Sequence, residues 1–348
     1  MQILLLALFG FISLHLGVNT DDTIVVYSSS NNQQNLQQII NSISNNATIL
    51  IKPGIYTESL IIENKIVNLI AAESNQVVEF QQLANDIILL YRNGGGGQVK
   101  GIAFTGINGT GISGSRNSQE GPPGKIDIFN CTFQDIGNGI INRFSLISIG
   151  NLIVNRAQWF SIDLQGLLGA PGTTVHDIFI LDSGNGFIIR DINCAALIFW
   201  NIVCRNNEKC GLIIFDTLSG PLTIAESTFS VIVRDSLITD AQPTSGSKIY
   251  GDGFVAMKNK ETIELRSSTV YNNFRSGASA WGSTLKLTNN QFRGNAFDLN
   301  YETMDGIAGS FQDSSRNICY DDFHGKNACH AVSSSVESPP ALPPLGSP

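Results

Sequence analysis

Eight-residue segments in the middle of the chain share one pattern of apolar and polar positions. Each has apolar residues at positions 1, 3 and 8 and a small polar residue, usually Asn, at position 5, with GQVKGIAF and TTVHDIFI fitting more loosely. The segments are GQVKGIAF from 97, IDIFNCTF from 126, ISIGNLIV from 147, TTVHDIFI from 173, LIFWNIVC from 197, LTIAESTF from 222, IELRSSTV from 263 and LKLTNNQF from 285. Their starts lie mostly 21 to 29 residues apart, which indicates a repeat architecture.

The parity of the apolar positions predicts that each segment bends. Positions 1 and 3 point to one side of a strand, but position 8 has the opposite parity. Asn at position 5 readily takes the left-handed backbone conformation that such a bend needs. A glycine then starts another strand, as in GIIN from 139, GFIIR from 186, GLIIFD from 211 and GFVAMK from 253. Each repeat is therefore predicted to be a flat coil of short strands, which buries its inner side by stacking on its neighbours.

The predicted fold is all-β, a right-handed parallel β-helix. Leucine-rich repeats, the competing solenoid, would be richer in Leu and would place Asn three residues after the second Leu rather than two. Asn side chains at stacked corners are expected to form hydrogen-bonded ladders between coils. Upstream, Leu36, Ile39, Ile40 and Ile43 follow helical spacing. This spacing predicts a short amphipathic helix that covers the N-terminal end of the stack.

The stretch ILIKPGIYTESLII, residues 49–62, resembles the first full coil of the pectin lyase-like β-helix superfamily, and pectin methylesterases open in a similar way. The resemblance extends over residues 24–305 and implies the β-helix fold, which in this superfamily commonly acts on carbohydrate. The catalytic motifs of its enzymes are missing, since Gln134-Asp135 is not followed by the Thr-Leu of pectin methylesterases. Motifs similar to those of polygalacturonases and pectate lyases are not found either. The resemblance therefore implies a fold without implying a reaction.

Both ends of the chain differ from the repeats. Residues 1–20 contain an apolar stretch followed by polar residues, which predicts a secretory signal peptide, with an uncleaved membrane anchor as the alternative. Residues 306–332 are predicted to form a disulfide-closed C-terminal segment. The Pro/Ser-rich tail, residues 333–348, is predicted to be disordered. The expected location is extracellular.

Six cysteines in a secretory context favour disulfides over metal ligands, because the chain has no C-x-x-C motif and no Cys/His cluster. Cys204 and Cys210 bracket a short polar corner, and Cys319 and Cys329 bracket a polar loop near the end. These two pairs are the predicted disulfides among the possible connectivities.

Three Asn-X-Thr triplets are candidate N-glycosylation sites in a secreted protein. Asn46 or Asn108 is expected to be modified. Asn130 is expected to stay unmodified, because it sits at a stacked corner next to a core strand.

Composition and charge narrow the class of partner. The 348 residues are 42% hydrophobic and 14% charged, with 34 glycines, which suits a turn-rich β-protein with a sizeable core. A net charge of -8 without any Lys/Arg run argues against nucleic acid and anionic membranes as partners. After the signal peptide, no segment of the sequence is long and apolar enough to span a bilayer. No cofactor is expected, and no motif indicates calcium or another metal.

Charged residues follow the second strand of successive coils and are expected to form one column along one side: Arg143, Asp163, Arg190, Asp191, Asp216 and Lys258. Carboxylates suit acid–base work on sugars, and Arg or Lys suits neutralisation of a uronate. We therefore take the last five as candidate catalytic residues and Arg143 as a candidate substrate-binding residue. The alternative is a ladder of ion pairs between neighbouring coils.

Two insertions interrupt the regular spacing, at residues 114–125 and 233–252. In solenoids, insertions become loops that often form the binding surface. The second insertion contains four candidate substrate-binding residues that suit stacking on a sugar and bonding to its hydroxyls: Asp235, Asp240, Tyr250 and Asp252. Loops of this kind are also tolerated without any function. Alternation places Trp200 on the outside, where it could stack on a sugar ring.

These features together predict a secreted β-helix protein that interacts with an extracellular polysaccharide. One interpretation is a polysaccharide lyase, hydrolase or esterase. The other is a non-catalytic protein that binds glycan or serves as a surface or matrix component.

Overall fold

The computed structural model confirms the predicted all-β parallel β-helix. Its strands form three parallel sheets, named here faces A, B and C, that wrap around one apolar core. The structure describes residues 23–26, 35–82, 86–115, 121, 123–143, 146–166, 174–190, 196–215, 230–234, 237–239, 241, 251–260, 262–321, 325–326 and 329–334.

Face A begins every coil. Its strands stack in parallel register from the first to the last coil. They are β1 (Thr23–Val26), β2 (Ala47–Ile51), β5 (Val67–Ala71), β8 (Gly97–Lys100), the first parts of β10 (Ile126–Arg143), β11 (Ile147–Gln165), β12 (Val175–Leu181) and β14 (Ala196–Arg205), then β16 (Ser230–Arg234), β19 (Ile263–Arg266), β22 (Thr284–Thr288) and β25 (Ser310–Ser315).

Face B follows a short corner after face A, and the long strands β10, β11, β12 and β14 run through that corner. Its other strands are β3 (Gly54–Tyr56), β6 (Val78–Gln81), the first part of β9 (Ile102–Gly114), β17 (Leu237–Thr239), β20 (Thr269–Tyr271), β23 (Gln291–Arg293) and β26 (Ile318–Asp321). The short strand β27 (Gly325–Lys326) pairs antiparallel with β26.

Face C closes each coil and includes the ends of β9, β10 and β11. Its other strands are β4 (Leu60–Glu63), β7 (Ile87–Arg92), β13 (Asn185–Arg190), β15 (Cys210–Phe215), β18 (Asp252–Met257), β21 (Ser276–Trp281), β24 (Phe297–Glu302) and β28 (Ala331–Val332).

The eight-residue pattern places its apolar residues in the core, as predicted. In the coil that begins with β10, Ile126, Ile128 and Phe133 are all fully buried. Position 5 takes the left-handed backbone conformation, with φ of 53° at Asn130 and 55° at Asn201. The bend at this residue reverses the parity of the strand, so that positions 1, 3 and 8 all face inward.

One predicted repeat start is wrong. Leu197 on face A pairs with Val231 in the next coil, so this coil has its face A strand at β16 and not at Leu222. The segment VIVRDSLI from 231 has the same apolar positions as LTIAESTF from 222. Residues 221–229 lie outside the described residues. Because two segments match the pattern equally well, strand pairing and not the local sequence distinguishes them.

Glycines at the corner between faces B and C allow neighbouring coils to approach closely. Gly186, Gly211 and Gly253 occupy equivalent places in successive coils. A Cβ atom at Gly186 would lie only 1.9 Å from the carbonyl oxygen of Gly211. At Gly211 it would lie 2.4 Å from the Cγ2 atom of Ile238. The stacking of the coils therefore requires glycine as the second residue of each of these strands, β13, β15 and β18.

Pairs of adjacent asparagines divide two tasks at the corners. Asn289 has φ of 56° and makes the bend. The next residue, Asn290, is buried, accepts a hydrogen bond from the Ser268 backbone nitrogen at 2.9 Å and donates one to the Leu265 carbonyl oxygen at 2.8 Å. In the doublets Asn206-Asn207 and Asn272-Asn273, the first residue also has a positive φ and the second also accepts a hydrogen bond from a backbone nitrogen. The expected ladders thus exist, but the residue after position 5 supplies their buried bonds.

The helix α1 (Leu36–Ser42) covers the N-terminal end of the stack, as predicted. Asn35 caps its N-terminus, with its side chain accepting a hydrogen bond from the Gln38 backbone nitrogen. Lys65 of the second coil donates to carbonyl oxygens at the other end, including that of Ile40 at 3.0 Å. These contacts satisfy polar groups at both helix ends, and Ile40 packs into the core.

At the C-terminal end, parallel stacking continues beyond residue 305, because β25 pairs with β22 and β26 pairs with β23. The predicted boundary of the β-helix at 305 is therefore too early. Cys319 and Cys329 form a disulfide. The tail from residue 335 lies outside the described residues, and the predicted signal peptide, residues 1–20, also lies outside them.

The predicted disulfide between Cys204 and Cys210 is wrong. Both cysteines are free and buried, as is Cys131. Cys204 faces the main core, whereas Cys210 packs in a separate apolar cluster with Ile213 on the outer side of face C. The two thiols thus lie on opposite sides of the wall of the solenoid and do not meet.

Candidate functional site

The outward-facing side chains of face C are buried over most of its length. They alternate with inward core residues and include Ser113, Arg143, Asp163, Ile188, Arg190, Ile213, Val255, Met257, Ser279, Trp281 and Asn300. On faces A and B, outward residues are more open: Trp200 on face A is half-buried, and Phe179 on face B is exposed. Face C is therefore distinguished by polar and charged groups that point outward and are still shielded from solvent.

Four segments between strands next to face C lie largely or wholly outside the described residues: 115–125 after β9, 166–174 after β11, 216–229 after β15 and 240–251 before β18. The first of them matches a predicted insertion, 114–125. The strands β16 and β17 occupy part of the other predicted insertion, 233–252.

Asp163 and Arg190 form a buried ion pair on face C. Asp163 pairs with Ile188 in the next coil, so Arg190 lies one outward position further along and reaches back diagonally. Its Nε donates to Asp163 Oδ1 at 3.0 Å, and a terminal guanidinium nitrogen donates to Oδ2. The side chains of Asp163 and Arg190 are 0% and 5% exposed. This arrangement is a bidentate charge-assisted contact between coils.

The predicted charge column is only partly assembled. Arg143 and Arg190 share one outward column, separated by Gln165, while Asp163 lies two residues before Gln165 on the same strand. Lys258 lies past the end of β18 at a corner with φ of 52°, and its Nζ pairs with Asp305 Oδ2 at 2.5 Å. Asp191 and Asp216 lie outside the described residues. The structure therefore joins two of the five candidate catalytic residues, Asp163 and Arg190, and places Arg143 in the same column as Arg190.

A second polar cluster surrounds Asp252, a predicted substrate-binding residue. Asp252 Oδ1 accepts hydrogen bonds from Ser276 Oγ at 2.7 Å and from Ser279 Oγ at 3.4 Å, and it lies 3.5 Å from Arg275 Nε. Asp252 is fully buried, and this burial raises its pKa despite the neighbouring guanidinium. Asp235, Asp240 and Tyr250, predicted to act with it, lie outside the described residues.

Three buried polar atoms near this cluster make no hydrogen bond within the part of the chain that the structure describes: Asp252 Oδ2, Trp281 Nε1 and Asn300 Nδ2. Ser279 and Asn300 are paired neighbours on face C, and Trp281 follows Ser279 by two residues on the same side. Alternation in SGASAW and FDLNYE places Ser279, Trp281 and Asn300 outward.

An apolar row separates the two polar clusters. Ile188, Ile213, Val255 and Met257 pack with Cys210 and Trp281 in one buried group. The described strands thus present, along one face, an Asp–Arg pair, an apolar stretch, and then an acid with hydroxyl, amide and indole groups.

Within the described ranges, no group of three or more His, Cys, Asp or Glu side chains is placed to hold a metal ion. A membrane-crossing helix is likewise not found in that part of the chain.

Comparisons with known proteins find similarity only among solved structures. No protein-family model matches the chain, and no curated protein matches it significantly. Among solved structures, the PL6-family alginate lyase AlyGC is 13% identical with a TM-score of 0.49, and the match covers 86% of this chain but 40% of the lyase. The A-module of the Azotobacter vinelandii mannuronan C-5 epimerase AlgE6 is 12% identical with a TM-score of 0.47, covering 82% of this chain and 81% of the epimerase.

A rhamnogalacturonan lyase is 11% identical with a TM-score of 0.42, covering 90% of this chain and 87% of the lyase. The parallel solenoid of the chain itself confirms the predicted β-helix fold.

Proposed function

We propose that this protein is an extracellular β-helix protein that interacts with polysaccharide through the outward side of face C. The observation that carries the proposal is a set of buried polar atoms on face C, Asp252 Oδ2, Trp281 Nε1 and Asn300 Nδ2, which lack hydrogen bonds within the described residues. Buried polar atoms are nearly always paired, so these three are suited to a ligand that supplies both donors and acceptors. A sugar, with several hydroxyl groups, has that chemistry.

We further propose that the same face carries out catalysis on the bound polysaccharide. The sequence analysis named Asp163, Arg190, Asp191, Asp216 and Lys258 for this role. Because Arg190 binds Asp163 bidentately, we assign this pair to orientation and charge balance. Asp252, whose pKa is raised by burial, is the better proton donor.

A non-catalytic role, in glycan binding or in a surface or matrix structure, is the second candidate. It is favoured by the apolar row of Ile188, Ile213 and Val255, which fills the centre of face C with packed side chains. It is also favoured by the buried ion pair, because such pairs occur as purely structural contacts between coils.

A glycan array combined with assays for new reducing ends and unsaturated products tests both versions. The wild type is compared with Asp252→Asn and Asp191→Ala, and Asp127→Asn on face A is the matched control. Turnover that Asp252→Asn or Asp191→Ala abolishes supports an enzyme. Binding without turnover, weakened by Asp252→Asn but not by Asp127→Asn, supports a binding protein. Absence of binding and turnover on both acidic and neutral glycans would reject the carbohydrate role.

A further inference from the structure

The three N-glycosylation triplets share one local geometry. Asn46, Asn108 and Asn130 each lie at a corner of the solenoid with positive φ, at 66°, 72° and 53°. All three residues are exposed. The sequence analysis expected Asn130 to stay unmodified because it sits at a stacked corner next to a core strand. The structure places Asn130 at that corner, and its side chain is exposed there.

In the triplet at Asn130, the middle side chain is buried and the two side chains that define the acceptor are exposed. Cys131, the middle residue, points into the core and is fully buried. Asn130 and Thr132, the two residues that define the acceptor, are both exposed. The free thiol of Cys131 is not part of a disulfide that would compete with the modification.

The Asn130 amide lacks the side-chain partner in the preceding coil that other corner asparagines have. Asn201 donates to Asp177 Oδ1 at 2.6 Å, and Asn289 donates to Ser267 Oγ at 3.2 Å, in each case to the equivalent residue of the preceding coil. For Asn130 that preceding residue is Gly101, which has no side chain to accept a bond. The amide nitrogen of Asn130 accordingly makes no hydrogen bond within the described residues, so a substituent on it disrupts no contact seen there.

We propose that Asn130 is a third N-glycan acceptor. In the transfer, Asn130 Nδ2 forms a bond to C1 of the first sugar of a lipid-linked oligosaccharide diphosphate and loses one proton. The bond from C1 to the diphosphate oxygen breaks, and the lipid diphosphate leaves. The assignment rests on the extracellular location in the proposed function. The glycan projects from the corner between faces A and B, on the far side from the outward groups of face C.

Peptide mapping of the secreted full chain, produced in a eukaryotic host, tests the assignment. An amidase that releases N-glycans converts each modified Asn into Asp, which identifies the acceptors on the wild-type protein without any variant. We expect conversion at Asn130. Asn130→Gln and Thr132→Ala should each remove the mass of one glycan. Asn151→Gln should remove none, since Asn151 occupies the equivalent exposed corner of the next coil but is not followed by the acceptor triplet.

The outcomes distinguish a failure of the Asn130 assignment from a failure of the proposed extracellular location. A secreted chain modified at Asn46 or Asn108 but not at Asn130 overturns the Asn130 assignment alone. A secreted chain without glycans overturns the assignment and leaves the extracellular location standing. A chain that stays inside the host cell without glycans overturns both.

Discussion

Arg190 binds Asp163 through two guanidinium nitrogens although the residues belong to different coils and are not direct partners in the sheet. The contact runs diagonally across face C, from Arg190 at the end of β13 back to Asp163 near the end of β11. Both side chains are buried, so each charge depends on the other for compensation. The pair therefore connects two coils through their outward side, opposite to the apolar core.

Replacing one member of this pair should lower the free energy of unfolding far more than replacing both. Arg190→Met leaves the Asp163 carboxylate buried and uncompensated, and we expect a loss of about 3–5 kcal/mol in the free energy of unfolding. Asp163→Leu combined with Arg190→Met should restore much of that loss, because the double variant buries no charge. Urea unfolding midpoints of the wild type, both single variants and the double variant measure the coupling. Equal losses in the single and double variants would contradict this explanation.

The raised pKa of Asp252 predicts a specific pH dependence. Its folded-state pKa lies above the unfolded value, so the folded protein binds the proton more tightly. The free energy of unfolding should therefore fall as pH rises from the ordinary Asp range through the raised pKa. Asp252→Asn keeps an acceptor for Ser276 and cannot ionise, so this part of the decline should disappear.

Urea titrations of the wild type and Asp252→Asn across that pH range measure the difference. Asp127→Asn, which removes a carboxylate from face A, is the control and should retain the decline due to Asp252. A stability difference between wild type and Asp252→Asn that is constant with pH would count against the burial of this carboxyl group.

Gly186 should be intolerant of even a methyl group. In Gly186→Ala, the new Cβ would meet the Gly211 carbonyl oxygen at 1.9 Å, and backbone cannot move aside as a flexible side chain can. We expect a loss of about 1–3 kcal/mol or more from this overpacking. Gly94→Ala is the comparison, because its Cβ would meet nothing within 4 Å and its φ of 79° adds only conformational strain. That strain costs about 1–2 kcal/mol, so thermal unfolding should place Gly186→Ala below Gly94→Ala.

The sequence predicted the fold well because its information is periodic and local. The parity change at position 5 encodes the bend between faces A and B, and the glycine of each second strand encodes a close approach of coils. Because the pattern is local, it also matched a segment at Leu222 that does not begin a coil. LTIAESTF and VIVRDSLI present identical parity, and only pairing of Leu197 with Val231 selects between them.

The candidate site was harder to predict because its contacts depend on register between coils. The meeting of Arg190 with Asp163 requires a diagonal contact that spacing along the chain does not specify. Cys204 and Cys210 are close in sequence, but they face opposite sides of the sheet wall. The Asn300 amide nitrogen is buried and makes no hydrogen bond among the described residues, and this is evident only when burial in three dimensions is known.

The final prediction separates the two tasks of the asparagine doublet. Asn290→Gly removes the acceptor for the Ser268 backbone nitrogen and the donor to the Leu265 carbonyl oxygen, both in a buried corner. Leaving such groups unsatisfied costs about 1–3 kcal/mol each. Asn289→Gly makes the same chemical change one residue earlier, where glycine accepts the positive φ and the lost bond to Ser267 is exposed. We expect a loss within about 0.5 kcal/mol there. Urea midpoints of the two variants decide the matter, since similar losses would show that the doublet does not divide its tasks as the hydrogen bonds indicate.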